Sequence, residues 1–197
     1  MFSFNKKNRL IGGPVEFSAD VLIDRPASEV FPLIDINDPR FKDAQMGAHV
    51  SRVEGSDDRF ELSSDEMEDV VFHFRVLERT LNSRHKVETA IEPRINALVS
   101  AIEEHILEPV GESACRVTLT TLATFDDALS DEAIADEVAV MSLAVTSDLE
   151  KLKALAEDGI DAARALEDDA IGFDLEFDAD FDFGELGIEW DDIEPEQ

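Results

Sequence analysis

The chain has one cysteine, one tryptophan, no tyrosine, and only 17 lysines and arginines against 47 aspartates and glutamates in 197 residues. Each scarcity excludes something. A lone Cys115 cannot close an intramolecular disulfide, so the fold must rest on burial and hydrogen bonding, as suits a reducing compartment. The shortage of cations leaves a formal charge of −30, which nucleic acid and anionic membrane would both repel. No run approaches the ~18 apolar residues that a bilayer-spanning helix requires. Residues 1–10 lead into no apolar stretch of signal-peptide length. A cytoplasmic protein that neither inserts in membranes nor binds nucleic acid is expected. Cys/His metal spacing, a glycine-rich phosphate loop and a nucleophile elbow are all missing, so neither metal nor cofactor is expected.

What is present is unevenly spread. Residues 157–197 hold 17 of the carboxylates and a single cation, Arg164, so a fifth of the chain carries about half of its net charge. That shift divides the chain into an N-terminal extension (1–14), a body (15–158) and an acidic tail (159–197). A body of ~150 residues can bury about two-thirds of its unfolded surface and needs no staple.

The tail is patterned. Over residues 173–183, apolar side chains including Phe173, Phe177, Phe181 and Phe183 take the odd positions and carboxylates take the even ones. Period two is the strand pattern, with one apolar and one charged face. Trp190 follows shortly after. Acid with interleaved aromatics also marks segments that fold onto a partner. Two readings stay open: disorder in isolation, or docking along a groove or sheet edge of the chain's own body. Asp178, Asp180, Asp182 and Glu189 imitate the spacing of an EF-hand loop, but Phe183 stands where the turn needs glycine. Specific calcium binding is therefore not expected.

In the body, residues 15–23 alternate as a strand, and Pro26 precedes a short helix that Pro32 limits in length. Strands are expected at 48–54, 59–63, 70–79, 84–92, 97–107 and 114–125, punctuated by Gly55, Asn82-Ser83, Pro93 and Gly111. Hairpin spacing makes them an antiparallel meander, since parallel pairing needs crossovers. Alternation turns Phe72, Phe74 and Val76 inward, along with the odd-numbered residues from Cys115 to Phe125. A long helix then starts at the N-cap Ser130 and stops at Gly159. Its stripe of Ile134, Val138, Met141, Val145, Leu149, Leu152 and Ala156 recurs at three- and four-residue steps.

The order strand, short helices, meander and long helix resembles the helix-grip fold of the START-like (SRPBCC) superfamily, over roughly residues 15–156. Residues 19–31 are similar to the family's opening, an alternating strand ending in Asp24-Arg25-Pro26-Ala27 and a helix with Val30-Phe31. The second anchor is the 115–125 strand leading into the helix from Ser130. Residues 157–197 have no counterpart in that pattern. The resemblance implies an α+β architecture: a curved antiparallel sheet of about seven strands wrapped on a long C-terminal helix, with an elongated apolar cavity between them. Members, which include polyketide cyclases and dehydrases, plant pollen allergens and quinone carriers, use that cavity for hydrophobic small molecules.

The cavity expected here is lined by Phe72, Phe74, Val117, Leu119, Thr121, Met141 and Val145, and takes a lipid-, quinone- or polyketide-like ligand without covalent chemistry. The chain offers no specific catalytic constellation. Glu103 and His105 are the one candidate pair. In one register of their strand they stand together on the cavity wall near Thr121, where a carboxylate beside an imidazole can do acid–base work. The other register sends Ile102, Glu104 and Ile106 inward, and periodicity does not choose. An alternative assigns the function to the tail, with Phe173, Phe177, Phe181, Phe183 and Trp190 anchoring a basic protein partner or capping the chain's own cavity.

Overall fold

The computed structural model describes residues 3–4, 14–67, 69–94 and 97–171. The alternating stretch that holds Phe173, Phe177, Phe181, Phe183 and Trp190 lies outside them.

The elements run β1 (Ser3–Phe4), β2 (Val15–Ile23), α1 (Ala27–Ile34), α2 (Lys42–Met46), β3 (His49–Arg52) and β4 (Arg59–Ser63). After a 3-10 turn at Asp65–Met67 come β5 (Val71–Thr80), β6 (Arg84–Glu92), β7 (Leu98–Val110), β8 (Ala114–Phe125), α3 (Asp131–Asp158) and α4 (Ile160–Ile171). The strands form one antiparallel sheet in the order β1-β2-β8-β7-β6-β5-β4-β3. The meander thus closes on the first long strand, and β2 to β8 are the seven strands expected. Register shifts in β5, between Val76 and Glu78, and near the start of β7, between Leu98 and Ser100, help the sheet to bend.

The long helix starts and stops where its sequence says. The Ser130 Oγ accepts a hydrogen bond from the Ala133 N–H at 3.2 Å, covering one of the orphan donors of the first turn. Gly159 ends the helix at φ +93°, a backbone region open to glycine at little cost. The last turn of α3 is also tied to the β2–α1 turn. The Glu157 carboxylate accepts from the Asp24 N–H at 2.6 Å and from Lys153 Nζ at 2.7 Å. Arg25 Nη2 donates to the Glu157 carbonyl at 2.9 Å.

Residues 160–171, which the charge boundary joins to the tail, form the helix α4. It folds back on α3 and α2: Ala163 is fully buried, Lys151 pairs with Glu167 at 3.3 Å, and Arg164 donates to the Gln45 carbonyl at 3.3 Å.

The main core lies where β2 and β8 face α1 and α3. Phe17, Ile23, Val30, Phe31, Cys115, Val117, Leu149 and Leu152 are all essentially inaccessible there. A smaller cluster of Ile36, Phe41, Phe60 and Leu62 sits at the other end of the sheet, backed by the half-buried Phe72, Phe74 and Val76.

Candidate functional site

Between these two cores the sheet and α3 leave an open-sided cavity of about 720 Å³. Its walls come from β5 (Phe72, Phe74), β6 (His85, Val87, Thr89, Ile91), β7 (Ala101, Glu103, His105), α2 (Lys42, Asp43) and α3 (Met141, Asp148). The register left open by periodicity is fixed by pairing. Glu103 lies opposite Val87 on β6 and Thr121 on β8, and His105 lies opposite His85. Ala101 and Leu107 on the same face are buried. The odd-numbered residues of β7 therefore point inward, and the sheet brings Glu103 and His105 together on the wall.

Of the expected lining residues, Phe72, Phe74 and Met141 stand on this wall. Val117, Leu119, Thr121 and Val145 do not: they are packed into the main core at 7% exposure or less. The reason is the nine-residue pairing of β2 with β8, which brings β2 against α3 and fills that side of the grip. The hollow is displaced toward β5, β6 and the start of β7.

The expectation of an apolar cavity also needs correction, because one side of it is strongly polar. The Lys42 ammonium is held between two carboxylates, Asp148 Oδ1 at 2.5 Å and Asp43 Oδ1 at 2.5 Å. Burial disfavours its charge, but the two carboxylates outweigh that and raise its pKa. Asp148 is disfavoured by its surroundings in turn and held below its usual range by Lys42. Although 40% of the Asp148 side chain is accessible, its carboxylate belongs to the cavity wall.

Glu103 has no cation of its own. Thr89 Oγ1 donates to its Oε2 at 3.4 Å, while desolvation and the nearby Asp148 and Asp43 charges push its pKa up to about 7. Desolvation takes His105 the other way, down to about 4. Near neutral pH the pair is therefore a carboxyl poised to gain or lose its proton beside an uncharged imidazole. The His105 Nδ1, His85 Nε2 and Thr121 Oγ1 are buried without a hydrogen-bond partner.

His85 joins this wall to a second network. Its ring meets Phe31 edge-on with centroids 6.3 Å apart, and its Nε2 lies 3.7 Å from Asp35 Oδ1. Asp35, 1% exposed, accepts from Arg79 Nε at 2.7 Å and from the Asn37 N–H at 3.1 Å. Burial raises its pKa, but these donors prevail and lower it. Burial likewise lowers that of His85.

Lys42, Asp148 and His85 escaped the sequence reading. A signal existed for two of them. His85 alternates with Val87 and Ile91, and Asp148 falls seven residues after Met141, on the flank of the helix stripe. Lys42, in a five-residue helix, carries no periodic signal. Among the described residues no group of histidine, cysteine and carboxylate side chains is placed to hold a metal ion, and no helix is long and apolar enough to cross a membrane.

No protein-family model matches the sequence, and no curated protein does. Solved structures do match. Ara h 8.0201 is 10% identical over 73% of this chain and 98% of its own, at a TM-score of 0.56. The di-domain ARO/CYC BexL from the BE-7585A biosynthetic pathway is 20% identical over 70% of this chain, at a TM-score of 0.57; the match spans 45% of BexL. A START superfamily protein from Mycobacterium smegmatis is 11% identical over 73% of this chain and 99% of its own, at a TM-score of 0.50. These identities speak for the fold alone.

Proposed function

Since the chain has the helix-grip fold, we propose that residues 15–158, with α4 against them, bind a hydrophobic small molecule in the central cavity without covalent chemistry. The observation that carries this reading is the 720 Å³ hollow walled by Phe72, Phe74 and Met141, which is the size and character of sites that enclose small ligands. A lipid-, quinone- or polyketide-like skeleton fits such a wall. The proposed setting is the cytoplasm. Native mass spectrometry of protein purified from cells tests it: a co-purifying or added apolar compound bound at one per chain supports the reading. If lipids, quinones and flavonoids all fail to bind, it is wrong.

The pairing of Glu103 with His105 on the wall favours a second reading, acid–base catalysis on an enolisable ligand in the same cavity. His105→Ala would then abolish turnover of a bound polyketide-like substrate while leaving the circular dichroism spectrum unchanged. Binding with no turnover by the intact protein argues for the first reading.

For residues 172–193 we propose an interaction role, toward a basic partner or the chain's own body, supported by the alternation of phenylalanine with aspartate. A salt-sensitive complex lost on deleting residues 172–197, with the body still folded, is the expected result.

A further inference from the structure

We propose that the cavity selects its occupant by charge, and takes an apolar molecule carrying a cationic head, such as a protonated amine, in preference to an anionic one of the same skeleton. This rests on the cavity-binding reading and adds the chemistry of the ligand's head.

The argument begins with charge on the wall. Six carboxylate side chains line the cavity against two lysines. Both lysines are already engaged, Lys42 with Asp43 and Asp148, and Lys151 with Glu167. No described cation on the wall is left for a fatty acid or a phosphate. A ligand anion would enter a partly enclosed hollow whose carboxylates outnumber its cations, where Coulomb terms exceed those in water.

A second observation points to a polar head at this side. His105 lines the cavity and has a buried Nδ1 with no hydrogen-bond partner, whereas the Nε2 of His85 opposite it is turned toward Asp35 Oδ1 at 3.7 Å. A buried polar atom left unpaired is costly, so a ligand group that reaches the His105 ring gains by pairing it. Uncharged imidazoles accept a hydrogen bond from an ammonium through the unprotonated nitrogen. Glu103, two residues from His105 on the same face, is a carboxyl without a cation of its own. An arriving ammonium would supply one, and burial beside Asp43 and Asp148, the cause of its raised pKa, would be offset by the ligand's charge. The apolar skeleton would then lie along Phe72, Phe74, Val87, Ile91 and Met141.

Three twelve-carbon probes differing only in the head test this on the full-length chain: dodecylamine, dodecan-1-ol and dodecanoate. They are titrated by isothermal calorimetry at neutral pH, below their aggregation limits, at low salt and again in 1 M salt. There the screening length falls to about 3 Å and attraction to the acidic exterior is suppressed. The expected order is amine, alcohol, acid, with the amine at least ten-fold tighter than the acid at both salt concentrations and a stoichiometry near one. Glu103→Gln, which keeps the shape and removes the charge, should shrink the amine-to-alcohol ratio several-fold. Dodecanoate binding as tightly as the amine overturns the proposal. So does an amine preference that Glu103→Gln leaves intact or that 1 M salt abolishes, since the attraction is then on the surface. If none of the three probes binds, the cavity reading falls and this inference with it; binding of all three with equal affinity removes the inference alone.

Discussion

Two stripes of α3, offset by three residues, meet opposite environments. Ile134, Val138, Val145, Leu149 and Leu152 press into the main core. Glu137, Val140, Met141, Asp148 and Lys151 line the cavity. The sheet divides in the same way. β2 and β8 present Phe17, Cys115 and Val117, which interdigitate with no exposure to speak of. β6 and β7 present His85, Thr89, Glu103 and His105, whose polar atoms resist dry close packing. One fold thus holds a solid half and a hollow half on the same helix. The difference teaches that cohesion and ligand recognition are assigned to different stripes, so substitutions in one should move stability and in the other selectivity.

The largest test of that division is Leu152→Ala. Leu152 is 0% exposed and sits where α3 is also clamped through Glu157 to the β2–α1 turn. Removing its side chain leaves a void that the surrounding packing fills only in part, and a loss of about 2–5 kcal/mol is expected. Chemical denaturation with a two-state fit measures it. A loss under about 1 kcal/mol would mean that the solid half is not close-packed, and the comparison would break.

On the hollow side the expected effect is smaller and of opposite sign. Glu103 ionises near its ordinary 4.5 in the unfolded chain and at about 7 in the native one. Between those values the native state binds the extra proton, so its contribution to stability falls as pH rises from about 4.5 to 7. His105 runs oppositely, with 6.5 unfolded and about 4 native; its contribution rises with pH over roughly the same window. The two offset each other in the intact protein. The groups that set this balance are Lys42 and Asp43 of α2, Asp148 of α3, His85 and Thr89 of β6, and Glu103 and His105 themselves. Glu103→Gln removes only the falling part. The variant should be more stable than the parent at pH 8 by up to about 2–3 kcal/mol, with the gain shrinking to under about 1 kcal/mol at pH 5. Urea denaturation at the two pH values decides it. A variant no more stable than the parent at pH 8 would mean that Glu103 is solvated like a surface carboxylate.

Much of the solid half was legible in the sequence. Strict alternation in β8 places Cys115, Val117, Leu119 and Ala123 inward, and the helix stripe with its Ser130 and Gly159 ends survives intact. Those patterns are written by burial itself, so burial can be read back from them. The hollow half was legible only in part. Phe72, Phe74 and Met141 were placed on the wall by alternation and helical spacing. Which end of the grip stays open depends on which strand closes the sheet, and the β2–β8 pairing is a long-range choice that no local pattern records. The polar residues were harder still. Glu103 and His105 could be paired but not oriented until β6 and β8 fixed their register. Lys42 comes to Asp148 across 106 residues, through a contact that leaves no trace in either neighbourhood. The helix α4 was obscured for another reason: its acidic composition reads as solvated tail, while Ala163, the most buried of its described side chains, is too small to announce an apolar face.

The smallest effect on stability should come from Met141→Ala, and it discriminates most finely between the two stripes. Met141 belongs to both, since it packs against the main core and also lines the cavity. A fully enclosed methionine cut to alanine would cost about 2–5 kcal/mol. Here part of the side chain already faces a hollow, so fewer contacts are lost and no new enclosed void is created. About 1 kcal/mol is expected, or a fall of roughly 2–4 °C in Tm. The same change enlarges the hollow beside Phe72 and Phe74, so the variant should take a longer or bulkier apolar probe than the parent, with the head-group preference unaltered. Calorimetric titration of a sixteen-carbon alcohol against a twelve-carbon one reads the change in size selection, and a thermal melt reads the cost. A cost near that of Leu152→Ala, with no change in the chain length accepted, would place Met141 wholly in the solid half and shrink the hollow to the polar side alone.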